Sequence, residues 1–400
     1  MQAVLLQERL DVTQKSRANL FNWRGQFTPQ LIEYLLSSYS NPGDIIADPF
    51  SGSGTVLLES IGKDLSCFGM EINPAAYVMS KFYAVSNFDV KVREDFLSCL
   101  EDKIFKLMQP HRTLSVLSGG ASFRDQYKNL IQFTADLIPS LEAKLEKVVA
   151  LNTLFICEGH KNCDLGTSVL VSLNQLKKFA LSLPFTSRII SAHLGDARTV
   201  HLRCPVRPNL IITSPPYINV FNYHQNHRAI LEAVGWDMLN VAQSEFGANR
   251  KNRGNRFKTV IQYCLDMEQA LHSFWHCLEE NGLLVLVIGR ESNVRGLPFF
   301  NGQIVKEIIE GMSGFESVSD HERVFTNRFG EKIKEDIIVS RRLTTPPDKS
   351  AGKQVAIKHL DVALKSAPPD VKDDVLNAIA DADAVIPSPL FAVRKALRHA

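Results

Sequence analysis

The feature that most limits what this chain can fold into is a short apolar run, residues 44–48, that ends on an aspartate. It runs directly into Asp48-Pro49-Phe50-Ser51-Gly52-Ser53-Gly54-Thr55. The turn signal Asn41-Pro42-Gly43 precedes it, and residues 55–61 read as a helix. Residues 65–70 form a second buried-type strand, and Pro74 opens a second helix through about residue 83. Strand, loop, helix and strand in so short a span make a βαβ unit, which requires a parallel sheet covered on both faces.

The alternation then breaks off. Residues 88–187 are mostly helix-like, with helices expected over 130–149 and 167–183, and strand-type runs resume at 188–194 and 208–213. A helix over 267–280, ending on Asn281-Gly282 as a C-cap pair, feeds a strand over 283–288. Residues 316–325 and 336–341 are strand candidates suited to an antiparallel pair at the edge of the sheet. The stretch 344–350, with Pro346-Pro347, reads as a linker, and 355–364 and 371–379 as short helices of a tail. The expected organisation is a split α/β catalytic domain over 1–87 and 188–343, a helical insertion over 88–187, and a linker with a helical tail over 344–400.

Composition narrows the function classes. The net charge of +2 does not mark a general nucleic-acid binder, so any such surface must come from local clustering of Lys and Arg. Seven scattered cysteines fit free thiols in a reducing compartment better than a disulfide framework. The N-terminus has no basic stretch followed by an apolar one. The longest clearly apolar run, 283–288, is far too short to span a membrane. A cytoplasmic location is the resulting expectation.

A glycine-rich loop at the carboxyl end of a strand lies where open α/β sheets bind ligands. Gly52 and Gly54 permit unusual backbone angles and close approach, and amides at the helix start can receive a carboxylate. Alone, the Gly-x-Gly reads equally as a structural turn or a dinucleotide loop. Asp48 at the strand end, however, would repel a pyrophosphate and suits a cationic ligand. Glu71, at the end of the second strand, stands where a carboxylate can hold two ribose hydroxyls. A sulfonium cofactor with a ribose and an amino-acid tail fits this set of charges.

The second motif is Ser214-Pro215-Pro216-Tyr217, which follows the apolar Leu210-Ile211-Ile212-Thr213. Two prolines fix the backbone and remove two N–H groups, leaving a rigid edge of acceptors. An exocyclic amine is a donor that must be oriented. Ser214 Oγ and the Pro215 carbonyl can accept its two hydrogens, and Tyr217 offers a face on which an extruded base can stack. A proline-stiffened strand end with a packed tyrosine is the plain alternative, and it loses weight because the first motif lies on the same inferred sheet.

Together these residues resemble the amino-methyltransferase family of DNA methylases, which act on adenine N6 or cytosine N4. The resemblance covers roughly residues 17–85 and 188–342. It implies a Rossmann-like class I methyltransferase sheet, mostly parallel with a C-terminal antiparallel hairpin, and S-adenosyl-L-methionine as cofactor. It implies that Asp48, Pro49, Phe50, Ser51, Gly52, Gly54 and Thr55 hold that cofactor. It further implies that Phe27 and Thr28 lie against its methionine part, Glu71 on its ribose, and Asp196 on the adenine amino group. Ser214, Pro215, Pro216 and Tyr217 correspond to the catalytic tetrapeptide. Its leading serine leans to cytosine N4 over adenine N6. A site-specific enzyme of a restriction–modification or related system follows, with double-stranded DNA as partner, its target base flipped, and a cognate endonuclease as a candidate second partner. An RNA base methyltransferase, or a non-catalytic relative, is the rival. In this chain the insertion lies between Glu71 and Asp196, which is not the family's usual place for target recognition.

For DNA contact the densest basic cluster is Arg250, Lys251, Arg253, Arg256 and Lys258, whose alternative is a solvated loop. Tyr223, His227 and Arg228, just past the tetrapeptide, are the other candidates, for the base pocket or the gap left by the flipped base. Cys157, His160 and Cys163 have a spacing that invites zinc. No fourth ligand follows at a convincing distance, and no metal is expected.

Overall fold

The computed structural model describes residues 5–13, 15–117, 123–160, 164–218, 222–247, 254–327 and 330–397. Among the described residues the nine strands are β1 Ile45–Asp48, β2 Ser66–Glu71, β3 Ile190–Leu194, β4 Leu210–Thr213, β5 Leu283–Gly289, β6 Glu291–Val294, β7 Leu297–Phe300, β8 Phe315–Thr326 and β9 Lys332–Arg342. Seven of them form one sheet in the order β3-β2-β1-β4-β5-β9-β8, and β6 and β7 form a separate hairpin.

The first five strands of that order pair in parallel, and β9 runs antiparallel to both β5 and β8. This is the α/β, Rossmann-like class I methyltransferase sheet with its closing antiparallel hairpin. Its central parallel strands are buried because helices cover both faces: every residue of β4 is buried, as is all of β5 after its first residue. The chain leaves β1 for β2 on one side and later returns through β4 on the other. The β1/β4 boundary is thus the topological switch point, where a crevice opens at the strands' carboxyl ends.

Gly54 shows why the loop after β1 needs glycine. Its φ is +90°, and a Cβ there would meet Tyr83 Cε2 at 2.8 Å and the Ser80 backbone at 2.9 Å. The helix Thr55–Gly62 therefore starts in close contact with the segment after β2.

Helices dominate residues 88–187, and their segmentation differs from the expected one. The helix expected over 130–149 is two, Phe123–Ser140 and Lys144–Cys157, parted at 141–143 after Pro139, which fits only near a helix end. Val90–Leu117 and Leu165–Ser182 complete it. It packs on the helix Pro74–Phe82, where the buried Asn152 donates to the Val78 carbonyl at 2.9 Å. Its apolar residues, Leu97, Phe133, Leu154 and Leu173 among them, join one core with Phe82 and Tyr83.

The helix expected over 267–280 runs instead over Lys258–Cys277. Asn281-Gly282 is not its cap: Asn281, at φ +61°, lies in the turn into β5, and the Leu278 N–H closes the helix on the Phe274 carbonyl. Residues 344–350 lie against the turn before β8, where Asp348 N–H donates to the Met312 carbonyl at 2.8 Å. The following helices, Ala351–Lys365 and Pro369–Ala380, bury Val355, Leu360, Val371 and Val375 in the same core as Met267 and Leu271. Among the described residues no helix is long and apolar enough to cross a membrane.

Candidate active site

A cleft of about 650 Å³ opens at the carboxyl ends of β1, β2 and β4. Residues of both motifs line it, Pro49, Phe50, Ser51, Gly52, Ser53 and Thr55 from the first and Ser214, Pro215, Pro216 and Tyr217 from the second. What joins the motifs is Asp48. Its Oδ1 accepts from Thr213 Oγ1 at 2.6 Å and from the Phe50 N–H at 3.2 Å, bridging the last residues of β1 and β4.

Asp48 itself does not line the cleft and is 1% exposed, so the expected direct contact with a cationic ligand is not available to it. Burial raises its carboxyl from 3.8 to about 7, opposed by the bonds from Thr213 and Phe50. The unfolded chain releases this proton near its ordinary value, so between about pH 4 and pH 7 the folded state holds it more tightly. Stability from this group is therefore present below pH 4 and lost as pH rises through 7. Asp48→Asn keeps an acceptor for Thr213. It is expected to flatten part of the fall in melting temperature between about pH 4 and pH 7, each pK unit corresponding to about 1.4 kcal/mol. An unchanged slope in thermal melts would show that Asp48 is ionised throughout.

Glu71 lines the cleft, as its expected role needs. Its Oε2 accepts from the Gly52 N–H and its Oε1 from the Asn73 N–H, both at 2.8 Å. The end of β2 thereby holds the glycine-rich loop. The segment before the first long helix is drawn across this loop, with Ser53 Oγ bonded to Gln26 Oε1 at 2.9 Å and Asn19 Nδ2 to the Phe27 carbonyl at 2.7 Å. Phe27 reaches the cleft. Thr28 does not; it precedes the helix Pro29–Tyr39. Gly54 is likewise a packing position behind the wall.

The Tyr217 hydroxyl lies 3.3 Å from Ser214 Oγ, and its ring lies against Gly289 at the end of β5. A Cβ at Gly289 would fall 2.6 Å from Tyr217 Cε2. Gly289→Ala must therefore displace the tyrosine ring, at about 1–3 kcal/mol of overpacking. A lower melting temperature is expected in thermal melts. An unchanged melting temperature would mean that the ring moves aside without cost.

Opposite stand Tyr223, stacked on Trp23 with centroids 6.0 Å apart, and Phe246, edge-on to Phe50 at 5.2 Å. His224 and Glu245 also line this wall and are paired, Nδ1 to Oε2, at 3.2 Å. Sequence reasoning named neither Glu245 nor Phe246. No spacing rule links them to the motifs, and they reach the cleft only through the fold between β4 and Lys258–Cys277.

Asp196 lines the cleft through a buried network. Its Oδ1 accepts from Arg198 N and Nε, and its Oδ2 from Arg198 Nη2 at 2.6 Å and from the Phe391 N–H at 3.0 Å. Arg198 also bonds Asp266 at 2.9 Å and the Ser388 carbonyl at 2.6 Å, while Ser388 Oγ donates to Asp266 at 2.7 Å. Burial raises the Asp266 carboxyl to about 6 against the pull of Arg198. Residues 388–391 thus strap the Asp196 loop in place.

Of the basic cluster, Arg250, Lys251 and Arg253 lie outside the described residues. Arg256 lines the cleft, while Lys258 is paired with Asp381 at 2.6 Å. His227 faces away from the cleft, with Nδ1 on Glu158 of the insertion and its ring on Phe155, and Arg228 pairs with Glu232 one turn along its helix. Cys163 lies outside the described residues. Glu158, beside Cys157, is engaged by Tyr127 and His227, and the described residues hold no cluster of three metal-ligating side chains.

The sheet order and the two-motif cleft define a class I methyltransferase architecture. Residues 5–82 match the family model described as DNA methylase. The chain is 29% identical over 110 residues to the Type II methyltransferase M.MjaII of Methanocaldococcus jannaschii, covering 28% of this chain and 19%, about a fifth, of that protein. Residues 5–82 thus resemble DNA methylases, and the chain spans about a fifth of the length of the curated relative it matches. Among solved structures it is similar to TrmN from Thermus thermophilus, at 15% identity and TM-score 0.32 over 80% of this chain and 50% of that one. It is also similar to a SAM-dependent methyltransferase from Methanosarcina mazei, at 10% identity and TM-score 0.33 over 78% and 98%.

Proposed function

We propose that this chain transfers a methyl group from S-adenosyl-L-methionine to an exocyclic amine of a base in double-stranded DNA, cytosine N4 in preference to adenine N6. The observation that carries the proposal is the Asp48–Thr213 hydrogen bond of 2.6 Å, which brings the two motifs to one cleft. The donor set fits the cofactor. Glu71 presents a carboxylate beside the glycine-rich loop, and Phe27, Ile72 and Phe246 offer apolar walls.

S-adenosyl-L-methionine, when bound, supplies an electrophilic methyl group on a sulfonium. Everything else falls to the protein. Glu71 orients ribose hydroxyls, and Ser214 Oγ with the Pro215 carbonyl accepts the two amine hydrogens. This favours a pyramidal nitrogen with a localised lone pair, and alignment supplies most of the rate. Tyr217 stacks a flipped base. Arg256 contacts phosphate at the mouth of the cleft, Arg250, Lys251 and Arg253 of the same basic cluster are the further phosphate candidates, and Tyr223 lines the base pocket. Residues 88–187 are the proposed target-recognition region. A restriction–modification setting with an endonuclease partner belongs to the same reading and rests on the resemblance alone.

The test is transfer from labelled cofactor to mixed-sequence DNA and, separately, to tRNA, followed by digestion and mass spectrometry of nucleosides. N4-methylcytosine from DNA is expected. N6-methyladenine would overturn the choice of base, and transfer to tRNA alone would overturn DNA as substrate. Neutralising Arg250, Lys251, Arg253 and Arg256 together should flatten the salt dependence of DNA binding, since each phosphate contact contributes about −0.9 to the slope.

A further inference from the structure

The family resemblance gives Asp196 the task of accepting a hydrogen bond from the cofactor's adenine. In this structure Asp196 has little capacity left. A carboxylate offers about four lone-pair sites. Arg198 takes three of them, with N at 3.0 Å, Nε at 2.9 Å and Nη2 at 2.6 Å, and the Phe391 N–H takes a fourth at 3.0 Å.

Glu245, on the same cleft, is in the opposite condition. Its Oε2 faces His224 Nδ1 at 3.2 Å, while its Oε1 is buried and has no hydrogen-bond partner among the described residues. Its side chain is 12% exposed. A buried carboxylate oxygen without a donor is uncommon and calls for one. The surroundings of Glu245 place it on the cofactor side of the cleft. The preceding Ser244 carbonyl accepts from Arg198 at 3.4 Å, and the Gly247 N–H donates to Asp266 at 3.2 Å, the network that holds the Asp196 loop. The adjacent Phe246 packs edge-on against Phe50 of the glycine-rich loop. Glu245 is also close enough to Glu71 for its charge to oppose ionisation there.

We infer that Glu245, oriented by His224, is the carboxylate with unused hydrogen-bond capacity, which turns Oε1 to the cleft to accept a hydrogen bond from the adenosyl group of the cofactor, while Asp196 serves to hold the wall. This rests on the cofactor assignment made above. The donor is an N–H or O–H of that group, the adenine amine or a ribose hydroxyl, and the test separates the two.

The experiment is calorimetric titration of the full chain with S-adenosylhomocysteine, with its inosine-containing analogue, and with its 2′- and 3′-deoxyribose analogues. Glu245→Ala is expected to weaken S-adenosylhomocysteine binding tenfold or more, with a melting temperature without ligand close to that of the wild type. The analogue that lacks the relevant donor should bind the wild type as weakly, and lose nothing further in the variant. His224→Asn should weaken binding in the same direction by a smaller factor. Glu245→Ala binding within twofold of wild type, while Glu71→Ala loses affinity, would overturn the Glu245 assignment and leave the cofactor reading standing. A wild-type chain that binds none of these ligands would overturn both.

Discussion

Tyr217→Ala is expected to lower the rate of methyl transfer to DNA by about 100-fold or more and to change the affinity for S-adenosylhomocysteine by less than threefold. The ring lies against Gly289, and its hydroxyl is 3.3 Å from Ser214 Oγ. Truncation removes two things at once. The stacking surface is worth about 1–3 kcal/mol per base, and the hydroxyl that steadies Ser214 is lost with it. At about 1.4 kcal/mol per factor of ten, the two together account for the expected loss. Tyr217→Phe keeps the ring and loses only the hydroxyl, so it should retain most of the activity. Single-turnover kinetics on DNA, with calorimetry for the cofactor product, checks both halves. Near-normal transfer by Tyr217→Ala would remove the stacking role.

Glu71→Ala should act on the other side of the cleft, weakening S-adenosylhomocysteine binding by about 100-fold. Its carboxylate holds the Gly52 and Asn73 N–H groups at 2.8 Å. Hydrogen bonds to a charged group contribute about 1.5–3 kcal/mol each, and the ribose acceptor disappears as well. Burial, aided by the charge of Glu245, raises the Glu71 carboxyl to about 7 against the bonds from Asn73 and Gly52. The form suited to the cofactor is the carboxylate. Wild-type affinity should therefore be constant above pH 7 and fall by up to about tenfold per unit as pH drops below it. That dependence should be lost in Glu71→Gln. A flat pH profile for the wild type would mean that Glu71 stays ionised when folded.

Much of the scaffold was legible because parallel sheets write themselves plainly. The apolar runs at 44–48, 65–70, 208–213 and 283–288 are buried on both faces and bounded by turn residues, and they appear as β1, β2, β4 and β5. Helix limits were less legible where tertiary contacts outweigh local signals. The single helix expected over 130–149 is broken, and the one expected from 267 starts at Lys258. The β6–β7 hairpin went unread because its strands are short. The expected tail could not be recognised as part of the core, since a partner such as Met267 for Val355 is invisible along the chain.

Local chemistry was determined by the sequence itself. Two glycines after a strand-end aspartate, an acid at the end of the next strand and a proline-stiffened Ser-Pro-Pro-Tyr each carry their physical meaning in adjacent residues. Which carboxylate beside the cleft keeps hydrogen-bond capacity was decided by the tertiary structure alone. Asp48 turns inward to Thr213, Asp196 is saturated by Arg198 and Phe391, and Glu245, unmarked by any motif, has an oxygen with no partner among the described residues. The reason is that hydrogen-bond capacity is filled by groups distant in the chain. Phe391 is 195 residues from Asp196, and no local pattern can encode that contact.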